Sequence, residues 1–354
     1  MKKILLITDS EKFGGAEKYI QSLTDTMGDK EKYEIIGNKE LSKKFYKHNF
    51  HEGIISNKKP IGSIISFFKY YLRYSPDIIH LNLTHPASCF WIQFLSLVLY
   101  KKIFIATLHL AANFHYPLIV RHLLKITYNK VVIICVANSA KDELWKNYRI
   151  KLNNFDIISN WSNYSHFRIP TDDEKRKSKL ELRQPINKKI LLFIGRFEEQ
   201  KNILVFLDIA RKFKEYNWTM VMVGEGSMKN EIQIKIKEYN LEKDVLVYPF
   251  TSDPRKYYWS ADAFLLLSKY ECTPLSLLEA MGCGLPPVVT DAGDMKYMVG
   301  GSEYVWDEKD MHSLEITLSH SLEKTPEQWR TQVLTYFSED NAKTKIENIY
   351  SARY

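Results

Sequence analysis

The chain has 354 residues, 45% hydrophobic and 26% charged, a globular composition that excludes a disordered or fibrous polypeptide. The length suits two α/β domains of roughly 150 to 180 residues, each able to bury its own core. Charge is uneven: residues 1–170 hold 24 Lys and Arg against 13 Asp and Glu, residues 171–354 hold 26 against 29, and residues 41–140 hold 12 basic side chains against Glu52 and Asp77, with no motif that would direct this charge to nucleic acid.

Met1 runs into Ile4-Leu5-Leu6-Ile7, too short for a signal-peptide core and suited to a buried first strand over 3–8. Phe13-Gly14-Gly15-Ala16-Glu17 then opens a helical pattern through Met27. A Gly pair before a helix lets backbone N–H groups approach an anion, and it equally suits a plain strand-to-helix turn. Further strands are expected at 33–37, 77–81, 103–108, 131–137 and 155–159. The apolar run 89–100, from Cys89 to Tyr100, is short of the roughly 20 residues that span a bilayer. The basic stretch is interleaved with Phe67, Phe68, Tyr70, Tyr71, Trp91 and Phe94, a mixture that suits an anionic membrane surface or, alternatively, a solvated basic face. Residues 170–187 are polar and charged and end near Pro185, which marks a linker with one helix capped by Thr171.

In the second half, strands are expected at 189–194, 218–223, 245–248, 263–267 and 287–290. Short apolar runs alternating with helical patterns give two Rossmann-like parallel sheets, whose ligands bind beyond the carboxyl ends of the strands. Arg196 and Lys201 follow the first of these strands; they could converge on a diphosphate or be solvated loop cations. Gly224-Glu225-Gly226-Ser227 is part of a dinucleotide fingerprint, with Lys229 where its third glycine would stand. The most specific stretch runs from Glu271 through Pro274, Leu275, Ser276 and Glu279 to Pro286. Carboxylates accept from vicinal hydroxyls, which suits Glu271 to a hexose and Glu279 to a ribose; Ser276 and Glu279 also have the spacing of a capping box, and Leu275, Leu278 and Met281 suit a core. Cys89, Cys135, Cys272 and Cys283 form no C-x-x-C pair, so neither zinc nor a disulfide framework is expected, and reduced thiols fit a cytoplasmic protein.

Taken together these motifs resemble family 4 of the glycosyltransferases, the retaining, metal-independent group with the GT-B fold that includes many bacterial polysaccharide enzymes. Gly14-Gly15-Ala16-Glu17 is similar to its N-terminal glycine loop, Ile79-His80-Leu81-Asn82 to a strand end, and Thr107-Leu108-His109 to its Thr-x-His. Val136-Ala137-Asn138-Ser139 and Ile158-Ser159-Asn160 resemble the strand ends before its interdomain linker. Gly195-Arg196 with Lys201, Val223-Gly224-Glu225-Gly226, and Glu271 with Glu279 fall in family order. Two positions depart from it: Cys272-Thr273-Pro274 replaces Gly-Phe-Gly, and Asn160-Trp161 replaces Asn-Gly. Pro274 has no N–H, which shifts the expected donor contacts to the amides of Leu275 and Ser276.

The resemblance implies an N-terminal acceptor domain over 1–169, a linker over 170–187, a nucleotide-sugar domain over 188–336, and a last helix over about 337–354 returning to the first domain. It implies transfer of a hexosyl unit from a nucleotide-diphosphate sugar to a saccharide or lipid-linked oligosaccharide acceptor. No resident cofactor or metal is expected, and no Asp-x-Asp signature is present. His109 would hold the sugar; Arg196, Lys201, Gly14 and Gly15 would meet the diphosphate; Glu271, Leu275, Ser276 and Glu279 would complete the donor site. The setting expected is the inner face of the cytoplasmic membrane. A non-catalytic sugar- or nucleotide-binding subunit of the same fold is the alternative, with a sugar epimerase or an oxidoreductase behind it.

Overall fold

The computed structural model describes residues 2–28, 32–99, 101–110, 112, 114–308 and 310–352. Met1, Tyr100 at the end of the apolar run and the last two residues of the expected final helix lie outside the described residues. The chain divides into two compact units, Met1–Trp161 with Glu339–Tyr354, and Ser162–Ser338.

The first unit holds β1 (Ile4–Thr8), β2 (Tyr33–Gly37), β3 (Phe50–Glu52), β4 (Ile78–Leu83), β5 (Ile103–Leu108), β6 (Val132–Cys135) and β7 (Phe155–Ile157). They form one sheet in the order β3-β2-β1-β4-β5-β6-β7, parallel throughout. Continuous apolar runs form these strands because both faces are covered: every residue of β1 and β4 is buried, as parallel sheets require. The short edge strand β3 was not foreseen. Its Phe-His-Glu has no apolar run, and none of its residues is buried.

Helices Gly15–Thr26 and Glu339–Ser351 bring Tyr19, Ile20, Leu23, Ile346, Ile349 and Tyr350 into one core with Ile4, Leu6, Ile35 and Ile105. The crossovers after β3, β4 and β5 run the opposite way along the sheet. A right-handed connection then places their helices, Pro60–Tyr74, Phe90–Leu95 and Leu118–Tyr128, on the other face.

The second unit holds β8 (Lys189–Ile194), β9 (Trp218–Val223), β10 (Val245–Tyr248), β11 (Ala263–Leu266) and β12 (Pro287–Val289), again parallel, in the order β10-β9-β8-β11-β12. Both units therefore have the Rossmann-like architecture expected of them.

The division falls earlier than the expected 169/170 boundary, and 170–187 is packed structure of the second unit rather than a free linker. Tyr164 and Phe167 lie in the second unit's core, and Arg330 clamps their carbonyls at 2.7 and 2.8 Å. Thr171 caps helix Asp172–Glu181 reciprocally with Glu174, and Lys175 Nζ reaches Asp262 at 2.7 Å. The helix is held by side-chain polar bonds more than by an apolar stripe, so its composition reads as a linker. The second unit also ends at Ser338 rather than at 336.

Strand order reverses between β1 and β4 in the first unit and between β8 and β11 in the second. Such switch points open crevices at the carboxyl ends of the strands, where ligands bind in open α/β sheets. Among the described residues no helix is long and apolar enough to cross a membrane.

Candidate functional site

At the second unit's switch point, the loop after β8 carries Arg196 and Lys201 and the loop after β11 carries Glu271. The first loop is fixed from below. Phe197 is buried, its N–H donates to the Glu225 carbonyl at 2.8 Å, and its own carbonyl accepts from the Met228 amide at 3.0 Å. This close approach needs glycine. Gly224 has φ +157°, and a Cβ there would sit 1.9 Å from the Gly195 carbonyl oxygen; one on Gly226 would lie 2.3 Å from that of Phe197. The two glycines that partly resemble a dinucleotide fingerprint thus serve loop packing.

The two loops are stitched side by side. Lys269 N–H donates to the Gln200 carbonyl at 2.8 Å, and Gln200 Nε2 donates to the Tyr270 carbonyl at 2.9 Å. Lys201 Nζ donates to Glu271 Oε1, with side-chain exposures of only 12% and 10%. Two residues read as separate ligands of a diphosphate and a sugar are therefore direct partners. A lysine ammonium has three donors and a carboxylate several lone pairs, so the pair retains capacity to bind both. Arg196 is exposed, and its Nη2 reaches Gln200 Oε1 at 3.3 Å.

Helix Leu275–Gly282 follows directly, with Pro274 as its N-cap and no side-chain cap. The capping-box reading of Ser276 and Glu279 is thereby overturned, since Ser276 lies inside the helix. The amides of Leu275 and Ser276, in the first turn, have no acceptor within the helix, and they add positive potential beside Glu271. Glu279 is buried and accepts from Tyr258 Oη at 2.9 Å. Burial, reinforced by that carboxylate, pushes the Tyr258 phenol well up. Gly293 was not singled out from the sequence: at φ +58° its Cα lies so close to the next loop that a Cβ would meet the Glu271 carbonyl oxygen at 2.2 Å. Asp294 N–H donates to the Cys272 carbonyl at 3.2 Å, so this turn holds the Glu271 loop in place.

In the first unit, Gly14, Gly15 and His109 lie at the carboxyl ends of β1 and β5. Asn82 Nδ2 donates to the Ala16 carbonyl at 3.1 Å, which turns Asn82 Oδ1 toward His109 Nε2 at 2.7 Å. His109 therefore carries its proton on Nε2 and keeps a lone pair on Nδ1. Burial lowers its pKa to about 3, so the ring is neutral at pH 7. Tyr19 packs edge-on against it at 4.9 Å. Below, Thr107 Oγ1 joins His80 Nε2 at 2.8 Å to Tyr19 Oη at 3.2 Å.

The glycine loop does not offer the two amides expected for an anion. Gly14 N–H donates to Glu17 Oε2 at 2.9 Å, which leaves Gly15, the exposed first residue of the helix. The neighbouring Asp9 carboxyl, raised to about 6 by burial, accepts from Cys89 N–H at 2.8 Å. Burial raises the Glu17 carboxyl as well, and the Asp9 carboxylate, where ionised, disfavours a phosphate here by like charge. The second unit, with two cations and free helix-end amides, is the better anion site. No group of His, Cys, Asp and Glu among the described residues is arranged to hold a metal ion.

Residues 174–332 match the family model described as glycosyl transferases group 1. The chain is 34% identical over 101 residues to the amylovoran biosynthesis glycosyltransferase AmsD of Erwinia amylovora, covering 28% of this chain and 29% of that protein. It is 26% identical over 252 residues to an Escherichia coli enzyme, UDP-Gal:alpha-D-GlcNAc-diphosphoundecaprenol alpha-1,3-galactosyltransferase, covering 67% of this chain and 63% of that protein. The chain thus spans less than two thirds of the length of these curated relatives. Its fold matches Anabaena HepE in complex with UDP-glucose, with TM-score 0.85 at 15% identity over 99% of this chain and 100% of the other. That likeness extends over both Rossmann-like units, which together are the GT-B fold class. The match over residues 174–332 and relatives that are themselves glycosyltransferases make the second unit similar to the glycosyl transferases group 1 family.

Proposed function

We propose that the protein moves a hexosyl unit from a nucleotide-diphosphate sugar to a saccharide acceptor carried on a lipid, in cell-surface polysaccharide synthesis, with retention of anomeric configuration and without a metal ion. The observation that carries this reading is the second unit's switch point, where Arg196 and the Lys201–Glu271 pair stand on two loops stitched side by side and helix Leu275–Gly282 begins four residues after Glu271. As the bond from the anomeric carbon to the diphosphate oxygen breaks, its electron pair goes to the leaving phosphate, while the acceptor hydroxyl oxygen bonds the anomeric carbon on the same face and its proton passes to the departing phosphate. Arg196, Lys201 and the helix amides would stabilise that charge; a preorganised donor contributes about 3 to 4 kcal/mol to such a step. Glu271 would hold the hexose hydroxyls. Relatives support the substrate classes, since the Escherichia coli enzyme is named for UDP-galactose and a diphosphoundecaprenol-linked sugar. In the first unit, neutral His109 would face the sugar through Nδ1 or its carbonyl. The chain would work on the cytoplasmic face of the membrane that holds the lipid.

The test is a panel of UDP-, GDP- and ADP-sugars with a polyprenyl-diphosphate-linked sugar as acceptor, run in EDTA, with product identified by mass spectrometry. The expected result is a product one hexosyl unit heavier, with the α-anomer preserved from an α-linked donor. An absolute need for manganese would overturn the metal-free part of the reading. Donor binding with no transfer to any acceptor and no donor hydrolysis would favour a non-catalytic subunit.

A second expectation concerns Glu279. Gln at this position still accepts the Tyr258 hydroxyl but loses the charge offered to a ribose. A hydrogen bond to a charged group contributes about 1.5 to 3 kcal/mol, so Glu279→Gln should weaken nucleoside diphosphate binding by roughly ten-fold or more, read by calorimetry, with an unchanged melting temperature. Unaltered affinity would remove Glu279 from the donor site.

A further inference from the structure

The first unit has a surface that its sheet does not explain. On helix Pro60–Tyr74 the inner face is accounted for by buried Ser63, Phe67 and Tyr70. Yet Ile61, Ile65 and Leu72 are 73, 62 and 72% exposed, and at spacings of four and eleven they fall on one stripe of the solvent face. Exposed apolar side chains scattered singly are ordinary, whereas a contiguous stripe marks an interaction site. The next two crossovers also carry exposed apolar side chains. Val98, just beyond helix Phe90–Leu95, is 63% exposed, and Leu118 and Ile119, at the start of helix Leu118–Tyr128, are 82 and 69% exposed.

These crossovers form one layer. Asn57, just before the first helix, accepts from the Phe90 amide at 3.0 Å and, through its carbonyl, from Trp91 Nε1 at 2.9 Å. Thr127 on the third helix reaches Gln93 on the second at 3.4 Å.

Charge on this layer has one sign. Between Glu52 and Asp142 the only acidic residue of the sequence is Asp77, whose carboxylate already accepts from the Lys3 amide at 2.8 Å. Lys58, Lys59, Lys69, Arg73 and Lys101 are exposed around the apolar stripe. Not all of the basic stretch contributes: Lys102 is spent on the Pro76 carbonyl at 2.8 Å and Arg121 on that of Asn147 at 2.9 Å, while Lys43, Lys44 and Lys47 lie between β2 and β3. Apolar side chains that enter an interface, rimmed by cations that meet acidic headgroups, are the signature of a helix lying in the plane of a bilayer surface.

We infer that the outer surface of these three crossovers is the docking face of the protein on an anionic lipid leaflet, with Ile61, Ile65 and Leu72 entering the headgroup region and Lys58, Lys59, Lys69 and Arg73 meeting lipid phosphates. A nucleic acid would use the cations but leave the Ile and Leu side chains in water, and a second copy of the chain would bring the same positive charge against itself. The inference deepens the reading of a lipid-linked acceptor, yet its test needs no nucleotide sugar, so either can fail while the other stands.

The test is co-sedimentation of the full chain with phosphatidylcholine vesicles, with and without phosphatidylglycerol. Screening lengths fall from about 10 Å at 0.1 M salt to about 3 Å at 1 M. The expected result is binding to the acidic vesicles at 0.1 M salt, at least ten-fold weaker at 1 M and at least ten-fold weaker for both the Ile61→Asp/Ile65→Asp and Lys58→Glu/Lys59→Glu variants. All four positions are exposed, and unchanged circular dichroism would confirm the folded state. Any of four results overturns the proposal: equal binding to neutral vesicles, no binding at low salt, wild-type binding by the Ile variant, or a wild-type dimer that this variant dissociates.

Discussion

Lys201→Ala and Glu271→Ala are each expected to lower turnover by about two to three orders of magnitude, the loss typical when one preorganised donor to a developing charge is removed. The structure adds a second consequence that the loop position of these residues conceals. Each side chain is nearly buried and is the other's partner, so either single change leaves a nearly buried charge without that partner. Breaking a fully buried pair costs about 3 to 5 kcal/mol, whereas removing both charges is far less costly. The double variant Lys201→Ala/Glu271→Ala should therefore recover most of the stability lost by either single variant while staying as inactive as the worse of them. Denaturant midpoints and turnover on folded protein separate the two effects. Wild-type turnover in either folded single variant removes the pair from the reaction. A double variant no more stable than the singles shows that their contact does not matter to the fold.

The strands were legible because buried parallel strands are unbroken apolar runs. The expected 33–37, 103–108, 189–194, 218–223 and 245–248 coincide with β2, β5, β8, β9 and β10. The misses fall where burial is not what holds an element. Edge strand β3 and helix Asp172–Glu181 are polar, one fixed by pairing with β2 and the other by capping and ion pairs. At the site, residue types and loop positions were readable, but partnerships were not. Lys201 and Glu271 stand 70 residues apart, and no local spacing joins them. The capture of the Gly14 amide by Glu17 did carry a signal, the three-residue interval of a capping box. Gly293 carried only that of a turn, and what makes glycine necessary there is the backbone of a loop some twenty residues earlier.

Gly293→Ala tests that necessity. The residue sits at φ +58°, where a side chain costs about 1 to 2 kcal/mol in backbone strain, and the new Cβ would lie 2.2 Å from the Glu271 carbonyl oxygen, where real contacts are essentially never under 3.0 Å. That oxygen belongs to backbone, so it cannot rotate away, and the loop carrying Glu271 must retreat. A displacement of roughly 1 Å at a reacting centre costs up to about a hundred-fold in rate, so turnover should fall ten- to a hundred-fold even at temperatures where the variant is folded. Gly300→Ala supplies the control. It imposes similar strain at φ +81°, but the nearest atoms to its Cβ all belong to the flexible side chain of Gln332. Both variants should lose thermal stability, while only Gly293→Ala should lose turnover per folded molecule, and nucleoside diphosphate affinity should change less than turnover because Arg196 and Lys201 stand on the other loop. Equal turnover in the two variants would show that the Glu271 loop is placed by its own packing and not by the turn at Gly293.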